Sequence, residues 1–156
     1  GVAVGIGTTM LLHFDLTYAG ESAQFRLPFV NLGLCPEAAS SFLLPRLIGH
    51  QQASELLLLG EPFSAAKAHE IGLINAVCPD PEVIDTAYTQ AQKLAQQPPA
   101  SVRLTKALLK RSIYKITADT MAEEMKHFTE RLNSPECAEA LSAFFERRPP
   151  DFSQFD

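Results

Sequence analysis

Strand-forming sequence is scarce in this chain, and this scarcity constrains the fold more than any other feature. Of the 156 residues, two short stretches in the first half predict β-strands, DLTYA (15–19) and LINAVC (73–78). In the first stretch the apolar Leu16 and Tyr18 alternate with polar residues, which is typical of a half-buried strand. Two isolated strands do not make a stable sheet. We therefore expect their pairing partners to come from a missing N-terminal part or from another chain.

Most of the remaining sequence predicts helix. The segment PEAASSFLLPRLIG favours a helix with Pro36 at its first position and a break at Pro45. Six further helices are predicted from cap residues, such as Ser64 and Ser134, or from a helical apolar repeat. They are HQQASELLLLG ending at Gly60, SAAKAHEIG (64–72), a helix from Asp80 to about Gln97, PPASVRLTKALLKRSIYK (98–115), ITADTMAEEMKHFTERLN (116–133), and a last helix from Ser134 to the segment FFERR. The chain is thus expected to be mostly helical.

The composition excludes several kinds of partner. Hydrophobic residues make up 46% and charged residues 20% of the chain, which is typical of a soluble globular protein. The net charge of −5 offers no basic surface for nucleic acid. The apolar start, GVAVGIGTTMLL, is too short to span a membrane and lacks the basic flank of a signal peptide. We expect a cytoplasmic protein that binds neither nucleic acid nor membrane.

The sequence predicts no metal site. Cys35, Cys78 and Cys137 are far apart, and no CxxC pair or Cys/His cluster is present. An odd number of cysteines without a pairing pattern suits a reducing compartment.

The glycine-rich run GVAVGIG does not fit a nucleotide-binding loop. The dinucleotide fingerprint needs a third glycine where Met10 stands, and GIGTTM lacks the lysine of a phosphate loop. Glycines ahead of a helix instead let other groups approach the backbone, and amides at a helix start can stabilise a developing negative charge. The run begins at Gly1 directly in core-like sequence, so we expect that the chain is a fragment or lacks its first part.

Glu37 is the most unusual carboxylate of the chain. It follows Pro36 in a stretch of small and apolar residues, NLGLCPEAASSF, that offers no salt-bridge partner. At the second position of a helix it would be an ordinary first-turn acid, favoured by the helix dipole. Placed where water is scarce, it could instead move a proton as a general base. The local sequence favours the first-turn acid and leaves both interpretations open.

Four segments, taken in order, resemble the crotonase (enoyl-CoA hydratase/isomerase) superfamily. They are GVAVGIGTTMLLHFDLTYAGESAQF, LPFVNLGLCPEAASSFLLPRLIG, ASELLLLGEPFSAAKAHEIGLINAV and CAEALSAFFERR, which together run over the whole chain. The resemblance implies an α/β fold in which a crotonase-like ββα spiral is followed by a helical C-terminal trimerisation region. It implies that this chain holds only the later part of the domain. Residues 1–80 would then belong to the spiral core, incomplete at its N-terminus, and residues 81–156 to the helical oligomerisation region.

The chemistry of this family passes through an enolate of a CoA thioester, and the resemblance suggests which residues take part. The N–H of Ile6, at the helix start in GIGTTM, matches a donor of the oxyanion hole. The two glutamates that hydratases use fall on Thr9 and Phe29, so both are absent. Glu37 in CPEAASS matches the single glutamate of the Δ3,Δ2-enoyl-CoA isomerase branch. Asp15 is the other acid that could be considered, but in the family pattern it stands at a strand start, in a structural role.

The same resemblance implies substrate or CoA binding by Phe29, Leu32, Phe144 and Arg147. Phe144 and Arg147 lie in FFERR, which is similar to the C-terminal segment that reaches a CoA bound by a neighbouring subunit. An arginine suits a phosphate, although the helix dipole explains a basic residue at a helix end equally well. Coenzyme A would be part of the substrate, with no separate cofactor and no metal. The resemblance implies a homotrimer or a dimer of trimers.

We therefore expect isomerisation of 3-enoyl-CoA to 2-enoyl-CoA, in fatty-acid or related acyl-CoA degradation, with Glu37 as the one base. Hydration requires activation of water and delivery of a proton, which hydratases divide between two carboxylates, whereas migration of a double bond requires one base. One alternative is a non-catalytic crotonase-like fragment that binds acyl-CoA or a protein. Others are an enoyl-CoA hydratase, or different enolate chemistry such as rearrangement of an aromatic acyl-CoA.

Overall fold

Five strands of two or three residues form two small sheets in the first half of the chain. The computed structural model describes residues 1–155, and within them the strands are β1 (Val2–Val4), β2 (Tyr18–Gly20), β3 (Gln24–Arg26), β4 (Phe63–Ser64) and β5 (Ala76–Cys78). One sheet has the order β1-β3-β4, with β3 parallel to β1 and antiparallel to β4. The other is the parallel pair β2-β5.

The two strands predicted from the sequence pair with each other. Tyr18 lies opposite Ala76 and Gly20 opposite Cys78. The expectation that their partners come from a missing part or from another chain is therefore wrong for this pair. Parallel strands need a long connection, and here that connection contains β3, β4, three α-helices and a short 3₁₀ helix.

Helices occupy most of the remaining chain, as predicted. Within residues 1–155 they are α1 (Ile6–Thr9), α2 (Ser40–Ile48), α3 (His50–Leu59), α4 (Ala65–Glu70), α5 (Val83–Ala95), α6 (Pro99–Arg111), α7 (Tyr114–Leu132) and α8 (Pro135–Glu146). Two predicted caps are confirmed, because the side chain of Ser64 accepts the Lys67 N–H and that of Ser134 accepts the Cys137 N–H, both at 3.2 Å. A short 3₁₀ turn over Met10–His13 extends α1.

The helix predicted from Pro36 begins four residues later and does not break at Pro45. Residues 36–39 lie outside any helix, and α2 starts at Ser40 with Pro45 in its interior. A proline inside a helix removes one hydrogen bond and strains the preceding turn. Here Leu44 and Ile48, on either side of Pro45, are both buried in the core, which keeps the two halves of α2 on the same face. Glu37 therefore precedes α2 and is not in its first turn.

One hydrophobic cluster joins the two sheets to the helices around them. Its buried members lie between Ala19 and Ile74 and include Leu27 and Leu44. Phe128 of α7 packs against this cluster from the C-terminal half. In contrast, α5 and α6, both within the described range, contain no buried residue. These two helices lie outside the core.

Charged groups tie α6 to the first half of the chain. Asp15 pairs with Lys106 and, at 3.5 Å, with Lys110. The Lys110 ammonium also donates to the carbonyl oxygen of His13 at 3.1 Å. The hydrogen bond from Lys106, assisted by the charge of Lys110, lowers the pKa of the Asp15 carboxyl. Asp15 thus makes structural contacts, but it lies three residues before β2 begins at Tyr18 and not at the strand start that the resemblance implies.

Between residues 1 and 155, no helix combines the length and the hydrophobicity that crossing a lipid bilayer requires. The same residues contain no group of three His, Cys, Asp or Glu side chains that could hold a metal ion. All three cysteines are free thiols.

Candidate active site

A cavity of about 430 Å³ opens between the start of α1, the segment around Pro28 and helix α7. Glu37 is the one titratable side chain that lines this cavity among the described residues, and the rest of the lining is almost entirely apolar. Four of the residues singled out in the sequence meet at this cavity, namely Ile6, Phe29, Leu32 and Glu37. The cavity therefore combines an apolar chamber with a single carboxylate.

Gly5 turns the chain from β1 into α1. Its backbone has φ 55° and ψ −118°, a conformation that glycine adopts at low cost because it has no Cβ. The carbonyl oxygen of Gly5 accepts the N–H groups of Thr8 and Thr9 at 2.8 and 3.0 Å. The N–H of Ile6 has no acceptor within residues 1–155, as expected in the first turn of a helix. Ile6, whose amide is thus unpaired among these residues, lines the cavity.

The Glu37 carboxylate accepts a hydrogen bond from the hydroxyl of Thr9. Thr9 is buried, and its Oγ1 is 3.4 Å from the carbonyl oxygen of Gly5, so the hydroxyl proton is directed to the nearer carboxylate. None of the ion pairs among residues 1–155 includes Glu37. A half-buried carboxylate with one donor and no counter-ion keeps lone pairs that can accept a proton.

The turn that contains Glu37 is held by hydrogen bonds on both sides. The Ser40 N–H and hydroxyl donate to the carbonyl oxygen of Glu37 at 3.0 and 2.6 Å. His13 Nε2 lies 2.7 Å from the carbonyl oxygen of Ala38. Since a carbonyl only accepts, Nε2 acts as the donor in this contact. His13, which the sequence presents as an isolated histidine, therefore stabilises this turn.

Glu124 supplies the carboxylate at the start of α2, the place where the sequence suggested Glu37. Its Oε2 accepts the Ala39 N–H at 2.5 Å, and its Oε1 accepts the Ser41 N–H at 2.9 Å together with the Ser41 hydroxyl. Glu124 was not predicted as a site residue, although the sequence contains a signal for it. Glu124 lies three residues after Met121 and four before Phe128, on the apolar stripe of α7, where a charged group requires a buried partner.

Helix α7 forms one wall of the cavity. Its lining residues are Met125, Phe128, Thr129 and Leu132. The Phe128 ring meets the Phe29 ring edge to face, with the ring centroids 6.5 Å apart. The helical apolar repeat of α7 is evident in the sequence, but the pattern does not reveal that this stripe faces a site in the first half of the chain.

Phe144 and Arg147 lie outside the cavity, at the end of α8. Phe144 is 71% exposed and contacts Phe145 edge to face, with the ring centroids 5.7 Å apart. Arg147 terminates α8 with a left-handed φ of 56°. The structure therefore does not bring these two residues together with the other four within one chain.

Cys35, two residues before Glu37, is not an activated nucleophile. Burial raises the pKa of its thiol, and the nearby charge of Glu124 raises it further. A thiol with a raised pKa is protonated near pH 7 and reacts slowly. Cys35 does not line the cavity, and Glu37 is the one carboxylate among the described residues that does.

Comparisons with known proteins agree with this architecture. A family model described as "Enoyl-CoA hydratase/isomerase" matches residues 1–155. Enoyl-CoA delta isomerase 2 of Rattus norvegicus is 36% identical over 149 residues, which are 96% of this chain and 38% of that protein. The 1,2-epoxyphenylacetyl-CoA isomerase of Escherichia coli K12 is 39% identical over 155 residues, which are 98% of this chain and 58% of that protein.

A solved structure shows the same fold. The enoyl-CoA hydratase/isomerase from Pseudoalteromonas atlantica T6c superimposes with a TM-score of 0.95 and 40% identity, over 98% of this chain and 62% of that one. The chain thus spans less than two thirds of the length of these relatives. The family model matches residues 1–155. This match does not support the expectation that the chain holds only the later part of the domain.

Proposed function

The chain belongs to the enoyl-CoA hydratase/isomerase family, and we propose that it isomerises 3-enoyl-CoA to 2-enoyl-CoA thioesters with Glu37 as the base. One observation supports this proposal above the others. Glu37 is the sole titratable side chain that lines the apolar cavity within residues 1–155. A reaction that needs one base fits this arrangement better than one that needs two.

The proposed reaction moves one proton between two carbons of the acyl chain. The thioester oxygen accepts a hydrogen bond from the Ile6 N–H, which stabilises the negative charge that develops on it. The Glu37 carboxylate removes a proton from carbon 2, and the electron pair of that C–H bond is delocalised into a dienolate. The protonated Glu37 then delivers the proton to carbon 4, which leaves the double bond between carbons 2 and 3. The net atom count of the substrate is unchanged.

The lining of the cavity supports an acyl chain as the substrate group. Phe29, Leu32 and the α7 residues give the space next to Glu37 an apolar lining, and a surrounding of low polarity strengthens the electrostatic effect of each nearby dipole. In this proposal coenzyme A enters as part of the substrate and no further cofactor takes part. Phe144 and Arg147, exposed at the end of α8, would contact the CoA of a neighbouring subunit in a homotrimer or a dimer of trimers.

The decisive experiment is Glu37→Gln in the full-length protein, assayed with 3-enoyl-CoA substrates. Removing a general base costs about 10²–10⁴-fold in rate, so we expect kcat to fall by that factor while KM for the thioester changes little. Glu61→Gln, an exposed acid outside the cavity, is the matched control and should leave kcat unchanged. Undiminished turnover in the Glu37→Gln variant, or binding of the thioester without turnover in the unaltered protein, would overturn the proposal.

Rearrangement of an aromatic acyl-CoA is the second candidate. The E. coli relative with 39% identity is named 1,2-epoxyphenylacetyl-CoA isomerase, and the rings of Phe29 and Phe128 on the cavity wall would pack well against an aromatic group. Product analysis with 2-enoyl, 3-enoyl and arylacetyl thioesters separates the candidates. Hydration of the 2-enoyl substrate would instead indicate a hydratase.

A further inference from the structure

Two consecutive alanines hold the backbone next to Glu37 in a conformation that alanine seldom adopts. Ala38 and Ala39 have φ values of 57° and 56°. In this left-handed region the Cβ of an L-residue crowds its own backbone, so such residues persist only where the surroundings hold them. Neither position is glycine, which would adopt the turn at little cost. The turn therefore depends on contacts from elsewhere in the fold.

Glu124 makes the strongest of these contacts. It is 7% exposed, and it reaches the turn from α7, 85 positions further along the chain than Ala39. Its two carboxylate oxygens take the backbone N–H groups of Ala39 and Ser41 separately, at 2.5 and 2.9 Å. Hydrogen bonds to a charged acceptor are stronger than those between neutral groups. One buried carboxylate thus accepts hydrogen bonds from the backbone N–H groups on both sides of residue 40.

Glu124 does not line the cavity. Other residues of α7 do, among them the next residue, Met125, and Phe128, which lies one turn further along the helix. The hydrogen bonds of Glu124 reach the turn before α2, so we expect its effect on the reaction to pass through the turn. We propose that Glu124 is a positioning residue, which holds residues 37–41 so that the Glu37 carboxylate meets Thr9 and faces the cavity. This inference rests on the proposed role of Glu37 as the base.

The first test is Glu124→Gln in the full-length protein. The amide keeps one acceptor oxygen and replaces the other by an NH₂ donor, which would oppose a backbone N–H. A displacement of about 1 Å in a catalytic group can cost about 10²-fold in rate. We expect kcat to fall by about 10- to 100-fold, with KM for the 3-enoyl-CoA changed by no more than about threefold because the cavity walls are kept. Glu123→Gln, which removes the same charge at the exposed neighbouring position, should match the unaltered protein.

The second test is a double-mutant cycle with Glu37→Gln. If Glu124 acts only by placing Glu37, then adding Glu124→Gln to Glu37→Gln lowers kcat no further. A general weakening of the fold would instead multiply the two losses. Multiplied losses, or an unchanged kcat in a folded Glu124→Gln variant, would overturn the inference.

Ser41→Ala provides a test that does not depend on the folding of Glu124→Gln. It removes only the hydroxyl that donates to Glu124 and leaves the backbone contacts in place. We expect a smaller fall in kcat than in Glu124→Gln, with KM unchanged, and an unaltered kcat would contradict the inference.

The proposed function and the positioning role of Glu124 can be refuted separately. Turnover that survives Glu37→Gln refutes the function, whereas dependence on Glu37 without dependence on Glu124 and Ser41 refutes only the positioning role.

Discussion

At the scale of single residues, the hydroxyl of Thr9 is the contact that orients the Glu37 carboxylate. Thr9 stands at a position where the resemblance would put a hydratase glutamate. A second acid there would compete for protons and repel Glu37, whereas a hydroxyl donates to it. On this resemblance, we infer that Thr9 supports the Glu37 carboxylate at the position where a hydratase has its other acid.

We predict that Thr9→Val lowers kcat by about tenfold or more. Valine has nearly the same shape but no hydroxyl, and a hydrogen bond to a charged group contributes about 1.5–3 kcal/mol. Steady-state kinetics with a 3-enoyl-CoA measures the effect, and circular dichroism establishes that the fold is kept. Thr9→Ser retains the hydroxyl and should keep most of the activity. Equal rates in the Val and Ser variants would contradict the role of this hydrogen bond.

The sequence points to Glu37 but not to its geometry. A proline followed by a glutamate is typical of a helix start, and this pattern placed Glu37 in the first turn of α2. The structure differs because Ala38 and Ala39 turn the chain at positive φ before α2 begins. Local propensity does not favour two left-handed alanines, and the carboxylate of Glu124 that stabilises them lies far along the chain. Only the tertiary structure contains that information.

At the scale of elements, α7 serves the site in two ways. One residue of its apolar stripe, Glu124, holds the turn before α2. The next positions on the same face form a wall of the cavity. A helix has this capacity because residues three and four apart share one face. The stripe was predictable from the sequence, but the surface that it faces was not.

We predict that the size of residue 132 controls which acyl chains turn over. Leu132 lines the cavity at the last residue of α7. Leu132→Trp should lower kcat/KM for long 3-enoyl-CoA substrates relative to short ones, because each excluded CH₂ group forfeits about 0.8 kcal/mol of burial. Leu132→Ala should shift the preference towards longer chains. Competition assays with mixed chain lengths measure both effects, and an unchanged preference in both variants would place the acyl chain elsewhere.

Short strands were the elements that the sequence revealed least. β5 falls within a predicted stretch and β2 overlaps the other, ending one residue beyond it at Gly20, whereas β1, β3 and β4 were not predicted. Each of these three has two or three residues, too few to display an alternating pattern. Glycines also interrupt the apolar run around β1. The helices were easier to predict, because cap residues such as Ser64 and Ser134 act locally.

At the scale of the whole molecule, the helices outside the core present apolar faces to solvent. Ile84 and Tyr88 of α5 and Leu104 and Leu108 of α6 are each more than half exposed, and neither helix contains a buried residue. Large exposed apolar patches are characteristic of association surfaces. We therefore expect these faces to be covered by other copies of the chain, in the trimer or dimer of trimers that the resemblance implies.

We predict that light scattering after gel filtration gives three or six times the protomer mass, and that Leu108→Glu lowers this mass towards one protomer. A carboxylate on a desolvated face is unfavourable without a partner, so the charge should separate the copies. Gln51→Glu, which adds the same charge on an exposed position of α3, should leave the mass unchanged.

If Phe144 and Arg147 reach the CoA of a neighbouring subunit, then separation of the subunits should also raise KM for the thioester. A single-protomer mass for the unaltered protein would contradict the assembly, and an unchanged KM after dissociation would leave no role for those two residues across an interface.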